Sequence, residues 1–294
     1  MAIVVDCFGL TAVGKVRANN EDQFLIADLS KAMRVLQSSL PDEDHTRKFG
    51  VHHGKLLLVA DGMGGVAGGE VAAGVAVHTV ANYVLNTMPW FFQVQDGREM
   101  ELEGELKTAL EACQRSVEAA ATDQPGRPPM GTTLTMAYLL WPRLYVVHAG
   151  DSRCYLARGG RLHQITRDHT VAQQMVEQGL LSPSEAEDSR WSHVLWNCIG
   201  GGTHELSPEV YKATLQAGDT ILLCTDGLSK TVPEGRIVEI LHKVGSVEEA
   251  CRQLVADANA GGGTDNITVV LGRLHGGNGK GDTMVDGAEY LPKV

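Results

Sequence analysis

The sequence predicts an α+β fold in a single large domain. Three observations carry this. Strand-like apolar runs come in blocks and helical periodicities come in pairs, without the one-for-one alternation of a parallel sheet. No internal repeat or Pro/Gly/Ser-rich linker divides the chain. Its 294 residues, 43 % hydrophobic, are enough to bury a substantial core.

The elements follow in order. Ile3–Thr11 and Asp22–Ala27 read as strands around the polar turn Arg17-Ala-Asn-Asn-Glu-Asp22. Residues 29–54 are mixed and charged, centred on Pro41-Asp-Glu-Asp-His45, and read as an insertion or long loop. Lys55–Ala60 is a short apolar strand stopped by Asp61-Gly62. A Gly-rich turn leads into a helix over Glu70–Leu85 with a wide apolar face, marked by Val71 and Val75 on one side and Val77, Val80 and Val84 on the other. A second helix, Glu99–Thr122, carries Leu102, Leu106, Leu110, Cys113 and Val117 at helical spacing. Gln124-Pro-Gly-Arg-Pro-Pro129 breaks it. Strands follow at Thr132–Leu140, Arg143–Ala149, Arg153–Arg158 and Arg161–Ile165, with Gly159-Gly160 as a hairpin turn. Val171–Gln178 reads as a helix, followed by a polar, Trp-containing stretch to Asn197. Thr220–Thr225 is an apolar strand stopped by Asp-Gly. Helices at Pro233–Lys243 and Ser246–Ala260 come next, the second ended by Gly261–Gly263. Asn266–Leu274 is the last strand. Residues 1–275 thus form the domain, and 276–294, Gly-rich and polar, read as a disordered tail.

The net charge of −11 disfavours nucleic acid or an anionic membrane as partner, since both need a basic face. An acidic chain can still bind phosphate when cations supply the charge. The six cysteines form no C-x-x-C pair and read as small buried hydrophobes in a reducing compartment. The start of the chain has no signal-peptide pattern, and no apolar run reaches the roughly 18 residues of a membrane helix. A cytoplasmic protein is expected.

The chemistry is carried by acids at strand ends. Leu56–Ala60 runs into Asp61-Gly62, Leu144–Gly150 into Asp151-Ser152, and Ile221–Thr225 into Asp226-Gly227. Asp265 precedes the last strand. Any one Asp-Gly is an ordinary turn. If the four acids at these buried strand ends converge, like charges that close resist joint ionisation, and either they take up protons or a cation neutralises them. Carboxylates, a carbonyl and water suit Mg²⁺ or Mn²⁺. Gly62 lets the backbone come close to such an ion. Arg17 could grip phosphate oxygens as a fork. His52-His53, His148, His163 and His169 match no zinc spacing and read as solvated or hydrogen-bonded side chains.

At these residues the chain resembles the PPM, or PP2C-type, family of metal-dependent serine/threonine protein phosphatases, in its bacterial branch. The ordered set is Arg17-Ala-Asn-Asn-Glu-Asp22, Val59-Ala-Asp-Gly-Met-Gly-Gly65, Gly131-Thr-Thr133, Ala149-Gly-Asp-Ser-Arg153, Thr225-Asp-Gly-Leu-Ser229 and Gly263-Thr-Asp-Asn266. The resemblance implies a four-layer αββα sandwich, two mostly antiparallel sheets flanked by helix pairs. It implies two Mn²⁺ or Mg²⁺ ions, bridged by Asp61 with the Gly62 carbonyl on one and completed by Asp226 and Asp265 on the other. It further implies a third, weaker ion on Asp151 and Asp226. Glu21 and Asp22 would act through water, Arg17 would bind the substrate phosphate, and a bridging water would attack phosphorus directly. Residues about 170–195 would be a variable flap. The partners implied are phosphorylated proteins, targets of a serine/threonine kinase or the kinase itself, with the phosphatase acting as a monomer.

The sequence departs from that pattern at three places. Met63 stands where some members carry a histidine, Lys230 where an acid is common, and Trp191–Asn197 where an Asn and an Arg are usual. Two other readings are weighed against the phosphatase. Gly62-Met-Gly-Gly-Val-Ala67 fits a dinucleotide-binding turn, but no second strand ending in an acid follows about 20 residues on. A catalytically weak phosphoprotein-binding module of the same fold is the alternative that Lys230 favours.

Overall fold

The structure, a computed structural model, describes residues 3–34, 47–64, 68–88, 99–122, 130–202 and 205–276. In chain order the elements are β1 (Ile3–Ala12), β2 (Gln23–Arg34), β3 (Arg47–Ala60), β4 (Gly62–Met63), α1 (Gly68–Asn86) and α2 (Glu99–Thr122). Then come β5 (Gly131–Thr132), β6 (Leu134–Leu140), β7 (Arg143–Ala149), β8 (Arg153–Arg158) and β9 (Arg161–Gln164). The flap carries α3 (Val171–Glu177) and α4 (Pro183–Glu187). The chain closes with β10 (Ile199–Gly200), β11 (Glu209–Thr214), β12 (Thr220–Cys224), α5 (Asp226–Ser229), α6 (Glu234–Lys243), α7 (Val247–Ala260) and β13 (Ile267–Gly276).

Two five-stranded antiparallel sheets result, in the orders β1-β13-β12-β8-β9 and β11-β7-β6-β3-β2. They stack face to face. The strands alternate between two buried environments, which is why they read as continuous apolar runs. In β3, Leu57 and Val59 meet the opposite sheet while Leu56 and Leu58 meet α1 and α2. In β12, Ile221 and Leu223 face the sheet interface while Leu222 and Cys224 pack under α6 and α7. Three apolar layers therefore separate helix, sheet, sheet and helix, the expected αββα order. A short third sheet, β10-β5-β4, sits at one end.

Most elements lie where the sequence places them; α2 matches end for end. Of residues 29–54, expected as an insertion or long loop, 29–34 and 47–54 are strand. Asp28–Arg34 pairs with Arg47–Lys55, a hairpin that runs past the rest of its sheet. His52 and His53 accordingly lie in β3. Residues 35–46, with the Pro41–His45 centre of that expectation, lie outside the described residues. So do Gln124–Pro129 and the tail beyond Gly276. The face that α1 buries runs through Ala72, Ala73, Ala76, Val80 and Val84, a small-residue face that admits close approach to the sheet. All six cysteines are unpaired, four of them buried.

Candidate active site

Asp61 follows β3 directly, and its main chain is held on both sides. Its amide donates to Thr133 Oγ1 (3.0 Å), and its carbonyl accepts from the Thr133 amide (2.9 Å) and the Thr132 hydroxyl (2.9 Å). Thr133 Oγ1 also shares a 2.7 Å hydrogen bond with Ser152 Oγ. Ser152 lies in the crossing from β7 to β8, which carries Asp151 from one sheet to the other. Gly150 makes that corner at φ 121°, where a Cβ would stand 2.5 Å from the Thr133 side chain. After Asp61 the chain turns tightly into β4: a Cβ on Gly62 would lie 2.1 Å from the Gly69 carbonyl oxygen. Only glycine lets the start of α1 dock there.

The other sheet supplies the remaining acids. Asp226 follows β12 as the first residue of α5, and Asp265 precedes β13. Asp22 is buried between the sheets. Its Oδ2 accepts from Thr225 Oγ1 (2.9 Å) and Thr268 Oγ1 (2.7 Å), while its Oδ1 has no partner. Asn266 fixes the turn bearing Arg17 and Glu21. Its Nδ2 donates to the carbonyls of Val13 and Asn19 (2.9 Å each), and its Oδ1 accepts from the Glu21 amide (2.8 Å). Arg17 Nη2 donates to Asp265 Oδ2 at 2.8 Å.

These residues converge on one cleft of about 600 Å³, lined by Arg17, Glu21, Asp61, Gly62, Met63, Asp151, Asp226 and Asp265. Asp22 alone of the expected site residues lies behind it. The cost of gathering the acids is visible in their protonation. Burial, then Asp22, Asp226, Asp151 and Asp265, hold the Asp61 carboxyl well above the usual range. Burial pushes Asp22 up to about 7, with the Thr268 and Thr225 hydrogen bonds acting against it. Burial and then Asp226 push Asp151 up to about 6, with Lys230 opposing. Burial raises Glu21 too.

Two cleft residues come from the flap, His193 and Leu195. Spacing alone did not single out either. The flap is pinned through a buried histidine: the amides of Gly150 and Asn197's side chain both donate to His169 Nδ1 (3.1 and 2.9 Å), and the His169 amide donates to the Gly150 carbonyl (2.7 Å). Lys230 spans both sides. Its Nζ donates to Asp226 Oδ2 (2.7 Å), Asp151 Oδ2 (3.2 Å) and His193 Nδ1 (2.9 Å). Burial works against its charge, but Asp151 and Asp226 more than offset this and raise its pKa.

Among the described residues, no three His, Cys, Asp or Glu side chains close tightly on one point as they stand. Arg17 pairs with Asp265, and Lys230 with Asp226 and Asp151. The donor set nonetheless fits hard cations. It is all oxygen, it shares one cleft, and it includes a carboxyl that burial, then its acidic neighbours, hold well above the usual range. Gly62 lines the same cleft, and Asp22 behind it keeps one buried oxygen unpartnered.

Comparison with known proteins finds relatives in sequence and in fold. The profile of the family described as protein phosphatase 2C matches residues 34–258. The serine/threonine protein phosphatase PstP of Mycobacterium tuberculosis is 37 % identical over 217 residues, 74 % of this chain. The chain spans only 40 % of that protein's length. The protein phosphatase PhpP of Streptococcus pneumoniae is 30 % identical over 262 residues, covering 89 % of this chain and 94 % of PhpP. The crystal structure of the PstP catalytic domain in complex with two manganese ions superposes with a TM-score of 0.71 at 32 % identity, covering 94 % of this chain and 100 % of that domain.

Proposed function

The chain belongs to the protein phosphatase 2C family, and on that premise we propose that it hydrolyses phosphoserine and phosphothreonine on proteins with two divalent ions, Mn²⁺ or Mg²⁺. One observation supports this above the rest: Asp61, Asp226 and Asp265 share a cleft with Arg17 at its rim. Residues 1–275 act as one catalytic domain.

Asp61, the Gly62 carbonyl, Asp226 and Asp265 would hold the ions. When bound, these supply positive charge to the phosphoryl oxygens and acidity to a water nucleophile. The protein's own residues do the rest. Thr132 and Thr133 fix the Asp61 backbone, and Thr225 and Thr268 fix Asp22. Glu21 acts from the cleft wall and Asp22 from behind it, both through water. Arg17 gives one N–H to Asp265 and keeps the remainder of its fork for phosphate oxygens. Met63 has no proton to give, so the leaving serine oxygen takes one from water or from His193. The His193 ring accepts the Lys230 ammonium at Nδ1, so in the neutral form its Nε2 carries the hydrogen.

The partners are phosphorylated proteins, those modified by a serine/threonine kinase or the kinase itself, met by a monomeric enzyme in the cytoplasm. Among the described residues no helix is long and apolar enough to cross a membrane.

Purified protein should release phosphate from a phosphothreonine peptide with Mn²⁺ and cease to do so in EDTA. Asp61→Ala and Asp226→Ala should each lower kcat/KM by more than ~100-fold, since even the outer partners of metal ligands are worth 10–100-fold. Wild-type turnover in either variant, or in chelator, overturns the mechanism. Phosphopeptide binding without turnover would instead mark a binding module.

A further inference from the structure

Among the described residues, Lys230 is a cation set against the acids of the cleft to which the chemistry above gives no part in holding ions or phosphate. An ammonium has three hydrogens to donate. Here each has a partner: Asp226 Oδ2, Asp151 Oδ2 and His193 Nδ1. The side chain reaches them because Lys230 follows Asp226 by one helical turn, as the residue that caps α5. Its two carboxylates come from different sheets, Asp151 from the β7–β8 crossing and Asp226 from the end of β12. Less than a third of its side chain is exposed.

We infer that Lys230 is a built-in counter-cation that takes the Asp151–Asp226 pair in place of a divalent ion, so that this chain holds two ions and not three. The inference rests on the two-ion centre proposed above. The resemblance implies a third ion on these same two acids; the side-chain geometry gives that place to the ammonium. A dication on the pair would need the oxygens to which Lys230 donates and would meet like charge at contact distance. The lysine is tethered, so its local concentration does not depend on the medium. Bonding His193 as well, it fastens the flap segment that ends at Asn197 to the carboxylates.

The experiment counts Mn²⁺ bound at saturation, by calorimetric titration and by electron paramagnetic resonance of free Mn²⁺, in wild type and Lys230→Met. Methionine keeps the length of the stem and removes the charge. Two ions are expected in wild type and three in the variant, with the added ion located at Asp151 by anomalous scattering. Asp151→Asn should return the Lys230→Met count to two and leave the wild-type count unchanged. Lys230→Gln serves the same purpose should the methionine variant not fold. Three ions in wild type, or two in both neutral variants, overturns the inference while leaving the two-ion centre standing. Fewer than two in wild type overturns the centre itself and this inference with it.

Discussion

His148 shows how a single buried side chain can set a response of the whole protein. It is fully enclosed, with Nδ1 2.9 Å from Thr135 Oγ1 and Nε2 2.9 Å from the Arg167 carbonyl. Burial, and next the His169 ring 4.6 Å away, lower its pKa to about 3. In the unfolded chain it takes a proton near pH 6.5, so the unfolded state binds more protons between pH 6.5 and 3. Stability is therefore lost as pH falls through that window, by about 2 kcal/mol at pH 5. The raised carboxyls of Asp22 and Asp151 act with the opposite sign. A comparison with His148→Gln isolates the histidine: urea midpoints at pH 7 and 5 should show the smaller fall in the variant. Equal falls would remove His148 from the account. At this scale the sequence reveals the acids, because an Asp that stops an apolar run is conspicuous. It hides their supports. Thr133, Thr225 and Asn266 stand in the quoted motifs without a role and Thr268 looks like an ordinary β-former, and only their long-range partners show what each supports.

Among the elements, the packing of β4 against the start of α1 tolerates little. A Cβ on Gly62 would fall 2.1 Å from the Gly69 carbonyl oxygen and 2.7 Å from that of Glu21. Both are main-chain atoms and cannot swing aside. Gly62→Ala should cost about 1–3 kcal/mol by overpacking, measured by urea denaturation, and should weaken Mn²⁺ binding as the Asp61–Gly62 backbone shifts. An alanine variant of unchanged midpoint and affinity would show that the helix can retreat. Helices and central strands were legible because periodicity of 3.6, or burial on both faces, leaves a strong pattern. Other elements left little trace. The β2–β3 hairpin beyond Asp28 is mixed and charged, since it outruns the sheet that would have required apolar faces. Edge strand β11 pairs with β7 alone and is half-buried, so Glu209–Thr214 carries only a faint alternation.

For the molecule as a whole, the decisive fact is that the two sheets contribute different acids to one cleft. Asp61 hangs from one sheet, Asp226 and Asp265 from the other, and Asp151 lies on the strand crossing that joins them. Their separation is set by the apolar layer between the sheets, where Leu223 is fully buried with Leu57, Val146 and Val270. Leu223→Ala should cost 2–5 kcal/mol in urea unfolding, the range for a leucine lost from a packed interior. It should also lower Mn²⁺ affinity, though the substituted side chain belongs to the interior and not to the cleft lining. Unchanged affinity in a destabilised variant would mean that the strand ends are fixed by Thr133, Ser152 and Asn266 alone. If the affinity does fall, the cleft is a strain gauge mounted across the seam of the sandwich. Any drift in the hidden layer, whether by mutation, pressure or heat, would then be read out at the surface as a change in how tightly the protein grips an ion.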